Sequence, residues 1–160
     1  MLIWLLPLVL IAIGLLWLLL RPIPTGKLSS HPEPASSYQE SLERLQSMSE
    51  AEANTGPLLD VCRSKALTHG QPTEHVLVLF HGYTNCPEQF AQLGERFHAL
   101  GYNVFIPRLP YHGYADRMTG DIAKLTAEEV AAYGDRAVDI AQGLGRKVTV
   151  IGFSCGGVMA

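Results

Sequence analysis

The pentapeptide Gly152-Phe153-Ser154-Cys155-Gly156 fits the pattern Gly-x-Ser-x-Gly and follows the apolar, β-branched run Lys147–Ile151. A serine on a sharp turn between a strand and a helix holds its hydroxyl clear of the backbone. The N–H groups opening the helix favour negative charge that develops nearby. Such a serine is suited to nucleophilic attack on an acyl carbonyl. The flanking Gly152 and Gly156 let neighbouring backbone approach closely. The competing reading is a Gly-rich connection with an ordinary N-cap serine. The preceding strand and the helical start at Gly157–Ala160 weigh against it.

A second segment, His81-Gly82-Tyr83, directly follows the continuous apolar run Val76–Phe80. Acyl transfer requires backbone N–H donors already aimed at the oxyanion, and one donor is worth about 3–4 kcal/mol. One donor follows the nucleophile, here Cys155, and the other is expected from the loop after the earlier strand, here Tyr83. His81 is read as structural, holding that loop, because the base follows the nucleophile in chain order at turns of this type. Asp116, Asp121 and Asp135 all precede Ser154, so none fits the acid's place. In Leu109-Pro110-Tyr111-His112-Gly113, His112 is read as part of a turn lining the mouth of the site. Cys155 is off-centre in its motif and is read as an N–H donor rather than a nucleophile.

Strands and helices must alternate to position these segments. Val76–Phe80 reads as a strand buried on both faces. Pro87 opens a helical pattern with Phe90, Leu93, Phe97 and Leu100 on one face, stopped by Gly101. Tyr102–Ile106 is the next strand, and a short strand is expected around Val61–Leu67. Thr126 and Glu129 form a capping box ahead of Val130, Tyr133, Ala137, Ala141 and Leu144. The alternation implies βαβ units and a mostly parallel sheet, whose ligands bind beyond the strands' carboxyl ends. Both chemically suggestive segments sit at such ends.

Toward the N-terminus, residues 2–20 carry no charge and form a helix of roughly 28 Å at ~1.5 Å per residue, the thickness of a bilayer core. A single-pass anchor is expected there, in preference to a signal peptide. Arg21 and Lys27 favour a cytoplasmic soluble part. Residues 21–56 read as a Pro/Ser-rich linker and a short amphipathic helix over 38–53. The net charge of −3 excludes an electrostatic nucleic-acid partner. Three widely spaced cysteines (Cys62, Cys86, Cys155) suggest neither a disulfide framework nor a metal site, and free thiols suit a reducing compartment.

In combination, VLVLFHGYTNCPEQF, GYNVFIPRLPYHG and VTVIGFSCGG resemble the α/β-hydrolase superfamily, over residues 57–160. The match is nearest its carboxylesterase and monoacylglycerol-lipase-like branch. The resemblance implies an α/β fold with flanking helices, Ser154 as nucleophile, and the N–H groups of Tyr83 and Cys155 as oxyanion hole. No cofactor is implied. Many members have Gly where this chain has Tyr111, whose bulk is expected to narrow or re-line the site mouth. The acid, the catalytic histidine and the lid have no counterpart here, so the chain reads as an N-terminal portion truncated after the elbow. Two functions are consistent with this: a membrane-anchored serine hydrolase of carboxylic or lipid esters, or a catalytically inactive, truncated hydrolase-like protein.

Overall fold

The computed structural model describes residues 2–22 and 28–160, with residues 2–6 and 8 described by backbone alone. Residues 23–27, part of the expected linker and including the Lys27 of the orientation expectation, lie outside the described residues. In chain order the elements are α1 (Leu2–Leu20), α2 (Tyr38–Ala53), β1 (Lys65–Leu67), β2 (Thr73–Phe80), α3 (Ala91–Ala99), β3 (Asn103–Ile106), α4 (Ala127–Leu144), β4 (Gly145–Gly152) and α5 (Cys155–Met159). The sheet order is β1-β3-β2-β4; β2 runs parallel to β3 and β4, and β1 runs antiparallel to β3. A mostly parallel sheet with flanking helices is therefore observed. Part of the strand expected at 61–67 is instead a 3-10 turn at Asp60–Cys62.

β2 is central, and its side chains alternate between two cores. Val76, Val78 and Phe80 pack with Tyr133, Ala137, Ile140 and Leu144 of α4. Leu77 and Leu79 pack with Val104, Ile106 and the partly buried Leu93 and Phe97 on the α3 side. Burial on both faces explains the unbroken apolar run, each such side chain contributing about 1.5–3 kcal/mol. α4 starts where its capping box directs: Thr126 accepts from the Glu129 N–H, and the Glu129 carboxylate accepts from the Thr126 N–H.

Residues 28–37, expected as a linker, are docked along α4. Ala35 N–H donates to Asp139 O (3.0 Å), Glu33 N–H to Asp139 Oδ2 (2.8 Å), and Ser41 Oγ–H to Ile140 O (2.6 Å). Gly143 permits this approach, since a Cβ there would lie 2.3 Å from Ser41 Oγ.

Two expectations need correction. Cys62 and Cys86 are not free thiols but form a disulfide with Cα atoms 5.1 Å apart, within the usual bridging range. The 3-10 turns Asp60–Cys62 and Pro87–Phe90 bring them together across 24 residues of chain, a proximity no local spacing encodes. Cys155 is free. Residues 2–20 are helical as expected, but among the described residues no helix is long and apolar enough to cross a membrane. The transmembrane anchor is therefore unsupported.

Candidate active site

Phe80 of β2 and Gly152 of β4 are register partners, so the segments after them leave the sheet side by side at its carboxyl edge. Phe153 N–H donates to Phe80 O (3.0 Å), which fixes the turn of β4 toward α5. Ser154 sits at the apex with φ 55 and ψ −117. A positive φ in a non-glycine residue stores on the order of 1–3 kcal/mol and persists only where its surroundings enforce it. Here they do. A Cβ on Gly152 would lie 1.9 Å from Gly156 O, and one on Gly156 would lie 2.1 Å from Phe80 O. The two glycines let α5 fold back against the strand ends, and Ser154 is left exposed.

The Gly82–Tyr83 loop is held from behind by two buried histidines. His81 Nδ1–H donates to Gly82 O (2.9 Å), and its Nε2 accepts from Leu109 N–H (3.1 Å). Burial, reinforced by the nearby His112 and Arg108, lowers the His81 pKa to about 4, with the Gly82 bond opposing. The ring is therefore neutral, and both of its nitrogens are committed to the loop scaffold. His112 Nε2–H donates to Tyr83 O (2.5 Å), while Nδ1 lies 2.7 Å from Pro110 O. Gly82 N–H donates to Gln89 Oε1 (2.9 Å). Among the described residues, the N–H groups of Tyr83 and Cys155 donate to no other group.

Tyr111, standing where many hydrolases have Gly, has a left-handed φ of 63. Its hydroxyl reaches away to Glu129 Oε1 (2.7 Å) and, with the Thr126 N–H, holds the Glu129 carboxyl below the usual range. It lines a cavity of about 390 Å³ together with Asn85, the Cys62–Cys86 bridge, Tyr114 and Ile122.

Arg108, Glu52 and Gln89 also touch this scaffold and were not singled out from sequence. Arg108, a charge between Pro107 and Leu109 directly after a buried strand, is itself a signal of a buried partner. Glu52 gives no such signal on its polar helix. Among the described residues, no three metal-ligating side chains are grouped to hold an ion.

A family model described as the alpha/beta hydrolase fold matches residues 75–160. No curated protein matches the chain. Among solved structures, one described with "LipS and LipT, two metagenome-derived lipolytic enzymes" is similar at 24% identity and a TM-score of 0.44, over 64% of this chain and 39% of its own. The chain thus spans well under half the length of that relative. The family match covers more than half of the chain and contains both the His81–Tyr83 loop and the Ser154 turn; the chain belongs to the alpha/beta-hydrolase-fold family.

Proposed function

We propose that this chain carries the nucleophile and oxyanion hole of a serine hydrolase acting on carboxylic esters, in the carboxylesterase and monoacylglycerol-lipase-like branch. The observation supporting this most directly is Ser154 at φ 55 on a strand–helix turn beside the Tyr83 loop. In the reaction, Ser154 Oγ bonds to the ester carbonyl carbon and its proton passes to a general base. The N–H groups of Tyr83 and Cys155 stabilise the oxyanion. The C–O bond to the leaving alcohol then breaks, that oxygen takes the base's proton, and water hydrolyses the acyl-enzyme.

The reaction also requires a base and a carboxylate that orients it. His81 spends both ring nitrogens on the scaffold, and both His112 ring nitrogens lie against backbone carbonyls. The second reading is a hydrolase-like protein without activity.

A fluorophosphonate probe separates the two. Labelling that Ser154→Ala abolishes supports the hydrolase. Labelling that persists in the variant overturns the Ser154 assignment, and an unlabelled full gene product supports the inactive reading.

The exposed apolar surface of α1, including Leu15, Leu16 and Trp17, supports membrane association and hence lipid-like esters. Loss of phosphatidylcholine-vesicle binding on deleting residues 2–20 is the expected result, and retained binding refutes it. The Cys62–Cys86 bridge supports an oxidising compartment over the cytoplasmic side.

A further inference from the structure

Glu52 lies in the last turn of α2, where the helix dipole disfavours an acid. Its side chain is nonetheless buried, with 8% exposed, and so is that of Arg108, with 5%. An unpaired buried charge costs several kcal/mol, so the two must answer one another. Arg108 Nε lies 3.5 Å from Glu52 Oε1. Ser64 completes the joint: its hydroxyl donates to Glu52 Oε1 (2.5 Å), its N–H donates to Glu52 Oε2 (3.1 Å), and its Oγ accepts from Arg108 N–H (2.8 Å).

The joint does not end at the ion pair. Arg108 Nη1 donates to His112 O (2.7 Å), and the His112 ring donates to Tyr83 O (2.5 Å). The carboxylate on α2 is thus three contacts, through Arg108 and His112, from the peptide unit next to the Tyr83 N–H. A buried ion pair is a poor source of net stability, because desolvation offsets its attraction. What it supplies is a fixed placement of the elements it joins.

We propose that Glu52 is a positioning residue for the oxyanion site. Through Arg108 and His112 it fixes the loop carrying Tyr83, which makes α2 a working part of the site. α2 lies outside residues 75–160, the span of the family match. The proposal rests on the oxyanion role assigned to Tyr83 above, but its first test does not depend on activity.

That test is amide hydrogen exchange in Glu52→Gln, which keeps the side chain's shape and removes its charge. The reporters are Asn85, whose N–H closes the loop onto Gly82 O (3.0 Å), and His112, whose N–H donates to Leu109 O (3.2 Å). Both are expected to exchange about tenfold faster, while Val78 and Phe105 in the sheet stay within about twofold. Unchanged Asn85 and His112 amides overturn the proposal. So does an equal acceleration of the sheet amides, which marks a general loss of stability.

The second readout is hydrolysis of p-nitrophenyl butyrate by the full gene product. Glu52→Gln is expected to lower kcat by about tenfold with KM within about twofold, since a displaced oxyanion donor is felt chiefly in the transition state. An unchanged kcat overturns the proposal. Should the unaltered protein hydrolyse nothing, the Ser154 reading fails and exchange alone decides the role of Glu52.

Discussion

Gly156 lies against the main chain of Phe80, so closely that a Cβ would stand 2.1 Å from the Phe80 carbonyl oxygen and 2.9 Å from that of His81. Both obstacles are backbone atoms that cannot swing aside. Gly156→Ala is expected to cost about 2–4 kcal/mol, the range of severe overpacking, read as a lower urea midpoint. Gly157→Ala meets nothing nearer than 3.4 Å and is expected to stay within about 1 kcal/mol of the parent. Equal losses at the two positions would mean that the turn does not depend on this contact.

Acidification is expected to weaken the fold through His81. Folded, its ring takes a proton only near pH 4, because burial disfavours the cation; unfolded, it does so near 6.5. Between those values the unfolded chain binds more protons, so stability is full above pH 6.5 and is lost toward pH 4. The loss amounts to about 3 kcal/mol at ~1.4 kcal/mol per unit. Urea unfolding at pH 7 and pH 5 checks it: His81→Asn should show a smaller drop than the parent.

The Cys62–Cys86 bridge closes a loop of 24 residues around β1 and β2. Cross-linking of that length contributes about 2–4 kcal/mol by constraining the unfolded chain. Reduction, or Cys62→Ser with Cys86→Ser, is expected to lower the unfolding free energy by that amount. The bridge abuts the loop carrying Tyr83, so exchange at Asn85 should rise in the same samples. An unfolding midpoint indifferent to a phosphine reductant contradicts this.

Asn103, fully buried at the start of β3, holds three segments at once. Its Nδ2 donates to Gln71 O (2.9 Å) and Leu144 O (2.8 Å), and its Oδ1 accepts from His69 N–H (2.8 Å). Asn103→Ala strands these groups without partners and is expected to cost about 2–4 kcal/mol. Asn103→Asp turns both donated bonds into repulsions and should cost more, an order that thermal unfolding can test.

The features legible in sequence were those that local chemistry writes down. Val76–Phe80 announces its burial on both faces by having no polar residue. Thr126 and Glu129 announce a helix start, and Gly152 and Gly156 announce a turn that excludes side chains. What escaped notice depends on chain segments meeting at long range. Cys62 and Cys86 meet only because the sheet brings two 3-10 turns together. Glu52 looks like any acid on a polar helix until Arg108 is placed beneath it. The apolarity of residues 2–20 was plain in the sequence, and their helix is observed.

The clasp of residues 28–53 on α4 has a consequence for the order of folding. Ser41 and Ile140, joined by one hydrogen bond, are separated by 99 positions. At synthesis rates of ~5–20 residues per second, Ser41 waits about 5–20 s for its acceptor to be made. Through that interval α2 has no α4 to cover its apolar side. Contacts of such separation form late and slowly, after their loop-closure entropy has been met. On the ribosome, then, the segment made ahead of the sheet is among the last to find its place.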